Sequence, residues 1–115
     1  MGIKEDRHQM FNDWNTAIRE QDWDTCDILA ELLLHTLPQG NEQRETLQQQ
    51  INHIQQIYKQ ESALLHQILT MEKNPFTREQ LKIRKKTELD EWRAKQIHNL
   101  FMQSFMKNSL IKEEE

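Results

Sequence analysis

Apolar residues recur along most of this chain at three- and four-residue steps, the spacing that puts side chains on one face of a helix. In the first segment Ile3, Met10, Phe11, Trp14, Ala17 and Ile18 share one stripe, which predicts a helix over residues 4–20 with Asp6, Asp13 and Arg19 on its opposite face. Asp22 stands where a carboxylate can accept from the free N–H groups of a new helix, so Asp22-Trp23-Asp24 predicts a bend. Residues 26–37 carry Ile28, Leu29, Ala30, Leu32, Leu33, Leu34 and Leu37, too many for one narrow stripe. This helix is expected to touch neighbours on two sides or to leave a sticky face, which makes it the one most prone to form an interface. Pro38 and Gly40 end it, and Asn41 is placed to cap the third.

Over residues 41–73 the series Leu47, Ile51, Ile54, Tyr58, Leu65 and Ile68 predicts one long helix, interrupted at Glu61, with Ile57, Leu64 and Met71 as a second stripe. Its remaining faces are rich in glutamine, a neutral solvated surface. Asn74-Pro75 breaks the pattern. Thr77-Arg78-Glu79-Gln80 then reads as a capping box with Phe76 and Leu81 as its hydrophobic staple, so the last helix is expected to start near Thr77 and run to about Leu110. Residues 113–115, all Glu, lie against the negative end of that helix dipole and are expected to fray.

Composition narrows the class. The 115 residues include no valine and only 2 Gly and 2 Pro, so strands and glycine-lined phosphate loops have little to build on. The expected fold is all-α, an antiparallel helical hairpin or bundle of three to four helices in a single domain over 1–115, with a C-terminal helix from about residue 77 as the element expected to move. No apolar run approaches the length of a membrane span and the N-terminus lacks a signal-peptide core, so a cytoplasmic protein is expected.

The chemistry-bearing residues do not assemble into a catalytic pattern. His8, His35, His53, His66 and His98 include no H-E-x-x-H pair, and Glu5-Asp6-Arg7-His8 holds a single Glu-x-x-His step where a di-iron bundle needs two. Cys26 has no cationic neighbour in sequence to activate its thiol, and no serine sits on a glycine turn. The chain therefore reads as a non-enzyme without metal or cofactor. Net charge is −4, yet residues 73–86 hold six basic residues against Glu79 alone. The patch is expected to be a solvated or intramolecular charge surface, with nucleic-acid binding through the residues Lys82 to Lys86 as an alternative. Ile97, Phe101 and Phe105, flanked by Leu100, Met102, Met106 and Leu110, give the last helix a broad apolar face suited to a core or to a partner.

The first helix, the Asp22-Trp23-Asp24 bend, the Leu-rich second helix and a third reading I-N-H-I-Q-Q-I-Y-K-Q-E-S-A-L-L-H-Q-I-L together resemble the FliT-type flagellar export chaperones over about residues 5–72. The resemblance implies a small helical protein that binds the filament-cap subunit, prevents its premature assembly and delivers it to the type III export apparatus, with a mobile terminal helix regulating access. Excess apolar surface without a catalytic constellation independently favours a protein that holds an amphipathic or disordered segment. The expected groove lies between the second and third helices, near Leu29, Leu33, Ile54, Ile57, Tyr58 and Leu64, with Phe101, Phe105 and Met106 able to cover it. A structural or regulatory coiled-coil subunit would use the same stripes for self-association.

Overall fold

The computed structural model describes the backbone of residues 3–114 and the side chains of residues 6–105. Four helices follow in order, α1 (Ile3–Arg19), α2 (Trp23–His35), α3 (Glu42–Met71) and α4 (Pro75–Glu114), and the described residues contain no strand. The all-helical class expected from the sequence is what the chain adopts.

Each helix end has an identifiable chemical cause. After α1 the Asp22 N–H bonds the Ala17 carbonyl at 2.8 Å and the Gln21 N–H bonds that of Ile18 at 3.1 Å, with Gln21 in the left-handed region at φ 58°. This pair of bonds is the Schellman stop, made here without glycine. Asp22 then accepts from the Thr25 N–H and caps α2, which opens at Trp23. Gly40, at φ 78°, turns the chain after α2, and Asn41 accepts from the Gln43 and Arg44 N–H groups at 2.8 and 3.2 Å to start α3.

The start of α4 differs from the expected capping box. Asn74 is the cap, its Oδ1 accepting from the Phe76 and Thr77 N–H groups at 2.9 and 3.2 Å. Pro75 follows at the first helical position, where its missing N–H costs nothing. Thr77 lies inside the helix, and Phe76 is 73% exposed, so no staple forms. At the other end the helical backbone continues to Glu114, beyond the stop expected near Leu110. The side chains of residues 113–115 lie outside the described residues.

Long-range contacts fix the packing. Gln43 Nε2 bonds Ser104 Oγ at 2.6 Å and Tyr58 bonds Asp90, so α3 and α4 run antiparallel. The Arg7 guanidinium sits 4.4 Å from the Phe105 ring centroid while Trp14 meets His98 and Phe101, so α1 is also antiparallel to α4. Arg7 Nε donates to Thr36 Oγ1 at 3.1 Å and ties α1 to the end of α2. Trp14, Leu33, Leu47 and Phe101, one from each helix, are the largest fully buried side chains. Their burial excludes water from the centre of a four-helix body.

That body does not extend over the whole molecule. The radius of gyration of the chain is 17.2 Å and its extents 61 × 25 × 23 Å, against about 13–14 Å for a compact chain of this length. Between residues 59 and 89 only Leu69 is buried. From Tyr58 to Met71 and back to Asp90, α3 and α4 continue past the other two helices as a two-helix arm about 20 Å long at 1.5 Å per residue.

Candidate functional site

A groove of about 490 Å³ runs along this arm. From α3 it takes Leu64, Leu65 and Ile68, and from α4 Leu81, Leu89 and Trp92, with Glu61, Lys85 and Glu88 as its polar members. The helical repeat explains the lining: 61, 64, 65 and 68 fall on one face of α3, and 81, 85, 88, 89 and 92 on one face of α4. A smaller hollow formed by Ile57, Glu61, Leu89 and Trp92 continues the groove towards the body. Leu64 is 51% exposed and Ile68 54%, values that leave a continuous apolar strip in water. Lys85 Nζ lies 3.4 Å from Glu88 Oε2 on the same helix face.

The junction between arm and body is polar. Tyr58 Oη donates to Asp90 Oδ1 at 2.6 Å, the Arg93 guanidinium stacks 4.4 Å from the Tyr58 ring centroid, and Arg93 Nη2 reaches Asp27 Oδ2 at 3.5 Å. Burial, the hydrogen bond to Asp90 and the negative charge there all raise the Tyr58 phenol above its ordinary value. Burial also raises the Asp27 carboxyl, against the pull of Arg93. The network joins α2, α3 and α4 where the core ends.

Inside the body, His98 is buried against Phe11 and Trp14, with ring centroids 5.4 and 5.3 Å away in edge-on geometry. Its Nε2 and the Trp14 Nε1 are buried without hydrogen-bond partners. Burial lowers the His98 pKa, and a hydrogen bond to the Phe11 backbone opposes that shift. Cys26 is buried, and loss of hydration together with Asp27 and Asp22 pushes its thiol up to about 11, so it is held as the neutral thiol. Among the described residues no three His, Cys, Asp or Glu side chains gather as a metal-binding group.

The residues that the sequence singled out as one groove are divided. Leu29 and Ile54 are each 8% exposed, and Leu33 and Phe101 are fully enclosed within one core cluster. Phe105 is half-buried, with its ring centroid 6.0 Å from that of Phe11, and the Met106 side chain lies outside the described residues. Only a hollow of about 110 Å³ separates α2 from α3, and Ile97 of α4 contributes to its wall. Tyr58 belongs to the junction, while Ile57 and Leu64 line the arm. Leu81, Leu89 and Trp92 were not anticipated, because Lys85 and Glu88 interrupt their stripe and conceal it in the pattern. On α2, Ile28 at 58% and Leu32 at 48% form the expected sticky face, although the larger exposed apolar surface is on the arm. The basic residues from Lys73 to Lys86 are all exposed on the arm.

Comparison with protein families, curated proteins and solved structures found no match. No helix among the described residues is long and apolar enough to cross a membrane.

Proposed function

We propose that this chain is a non-catalytic helical binding protein whose four-helix body holds out the α3–α4 arm as a docking surface for an amphipathic segment of another protein. The observation that carries this reading is the open apolar groove of about 490 Å³ between Leu64, Leu65 and Ile68 on one side and Leu81, Leu89 and Trp92 on the other. From Ile57 to Ile68 the strip is about 16 Å long, room for about three turns of a helix, whose apolar face would replace the water now lying on these side chains. The resemblance to flagellar export chaperones supplies the specific client: a filament-cap subunit, shielded in the cytoplasm and handed to type III export.

Calorimetric titration of the full chain with overlapping peptides of the source cell's filament-cap subunit tests the reading. One peptide is expected to bind at one site, with binding lost in Leu64→Glu and kept in Ile28→Glu, a change on the exposed face of α2. Absence of binding by every peptide excludes that client. Equal loss in both variants removes the arm as the site.

A further inference from the structure

We infer that the tip of the arm is a docking site for an anionic phospholipid surface, its bare apolar side chains entering the interface while the arm's cations meet the headgroups. Met71 is the last residue of α3 and Phe76 the second of α4, so both stand at the turn that ends the arm. They are the most exposed large hydrophobics among the described residues, at 79% and 73%, and neither lines the groove. Their exposure follows from the architecture. The arm carries this turn about 20 Å past the other two helices, so neither α1 nor α2 reaches it. Ile83, 55% exposed, lies on the same face of α4 as Phe76, seven residues and about 10 Å behind it.

Charge decides which partner fits. Residues 71–86 hold six basic residues against Glu72 and Glu79, a net +4 in a chain of −4, which leaves −8 on all the other residues. Lys85 is paired with Glu88, but Lys73, Lys82, Arg84 and Lys86 are exposed and make no ion pair among the described residues. Arg78 donates to the Glu72 carbonyl, which leaves its positive charge in place. Around α4, Arg84 falls on one side of the Phe76–Ile83 row and Lys82 and Lys86 on the other, so cations flank the apolar row. A molecule so polarised turns its arm towards an anionic surface and the rest away from it. A duplex nucleic acid would engage the cations and leave Met71 and Phe76 in water, whereas an anionic bilayer takes both. Entry of the tip to about 5–10 Å covers Met71 and Phe76 and sets Lys82, about 9 Å behind Phe76, among the lipid phosphates.

Flotation of the full chain with vesicles of equal parts phosphatidylcholine and phosphatidylglycerol tests this. The protein is expected to float with these vesicles at low salt, to be released at high salt, and to stay behind with phosphatidylcholine alone. Phe76→Ser, at an exposed position and checked for helicity by circular dichroism, should weaken binding by about tenfold. Lys82→Glu with Lys86→Glu should weaken it by about tenfold or more, and Ile28→Ser on the exposed face of α2 should leave it unchanged. Depth is read from Phe76→Trp, whose added fluorescence should be quenched by brominated acyl chains. The native Trp14, Trp23 and Trp92 pack in or against the core and should not be quenched. No association with the anionic vesicles overturns the inference, as does equal association with phosphatidylcholine alone. Binding indifferent to Phe76→Ser, or weakened as much by Ile28→Ser, removes the tip as the site. Preference for a duplex DNA over the vesicles, unchanged in Phe76→Ser, would overturn it too and assign the cations to nucleic acid. No client peptide and no variant of the groove enters these measurements, so their failure is distinct from failure of the client reading.

Discussion

Gln21 holds a left-handed backbone, φ 58°, that the sequence does not advertise, because nothing marks a glutamine as the stop of a helix. A side chain in that region costs about 1–2 kcal/mol, while glycine there gives back about 0.5–1 kcal/mol of unfolded-state entropy. Gln21→Gly is therefore expected to raise the unfolding free energy by about 0.5–1 kcal/mol in urea titration, whereas Gly40→Ala, with open space around it but φ 78°, should lower it by a similar amount. His98 gives the fold a dependence on pH. Its folded pKa is below the ordinary value because the ring is buried, so the folded state resists a proton that the unfolded chain accepts. That contribution is present above about pH 6.5 and is lost as pH falls below it. The urea midpoint should be lower at pH 5.5 than at pH 7.5, and His98→Leu should reduce the difference. Equal slopes in the two proteins would assign the pH dependence to other groups.

The elements separate what was legible from what was not. The all-helical class and the caps at Asp22 and Asn41 could be read directly, since periodic apolar stripes and acceptor side chains act locally, while the number of helices, expected as three to four, is settled at four by the structure. The start of α4 lies earlier than expected because two signals overlap within four residues: Thr77 with Gln80 three positions on satisfies the capping-box pattern, but the chain is already helical at Thr77. Asn74 reaches the free N–H groups first, and Pro75 is preset for the first helical position. Asn74→Ala should therefore cost about 1 kcal/mol, seen in thermal or urea unfolding, while Thr77→Ala should be nearly neutral. The reverse order would restore the capping box. At the junction, Tyr58→Phe removes the donor to Asp90, a residue only 6% exposed. Leaving that carboxylate without its partner should cost about 1–3 kcal/mol. The candidate groove between α2 and α3 was illegible for a different reason: hydrophobic period identifies which face of a helix is buried but not which neighbour buries it, and α4 takes that place through Ile97 and Phe101.

At the scale of the molecule the chain divides into a body with four helices around Trp14, Leu33, Leu47 and Phe101 and an arm in which Leu69 alone is buried between residues 59 and 89. Phe101 cannot act as a removable cover for a groove without dismantling that core; Phe101→Ala should cost about 3–5 kcal/mol, and truncation before Leu100 should abolish cooperative unfolding rather than open a binding face. The arm is different, because its amides are held by helical hydrogen bonds with one thin seam of side chains behind them. Local opening is governed by the apolar contacts that must be broken, so the arm should open at a lower free energy than the body. In hydrogen exchange of dilute protein, amides of residues 60–70 and 80–88 are expected to exchange faster than those near Trp14, Leu33 and Leu47. Uniform protection along α3 would mean that the arm unfolds together with the body, and that the seam from Leu65 to Leu81 stabilises it more than its exposure indicates.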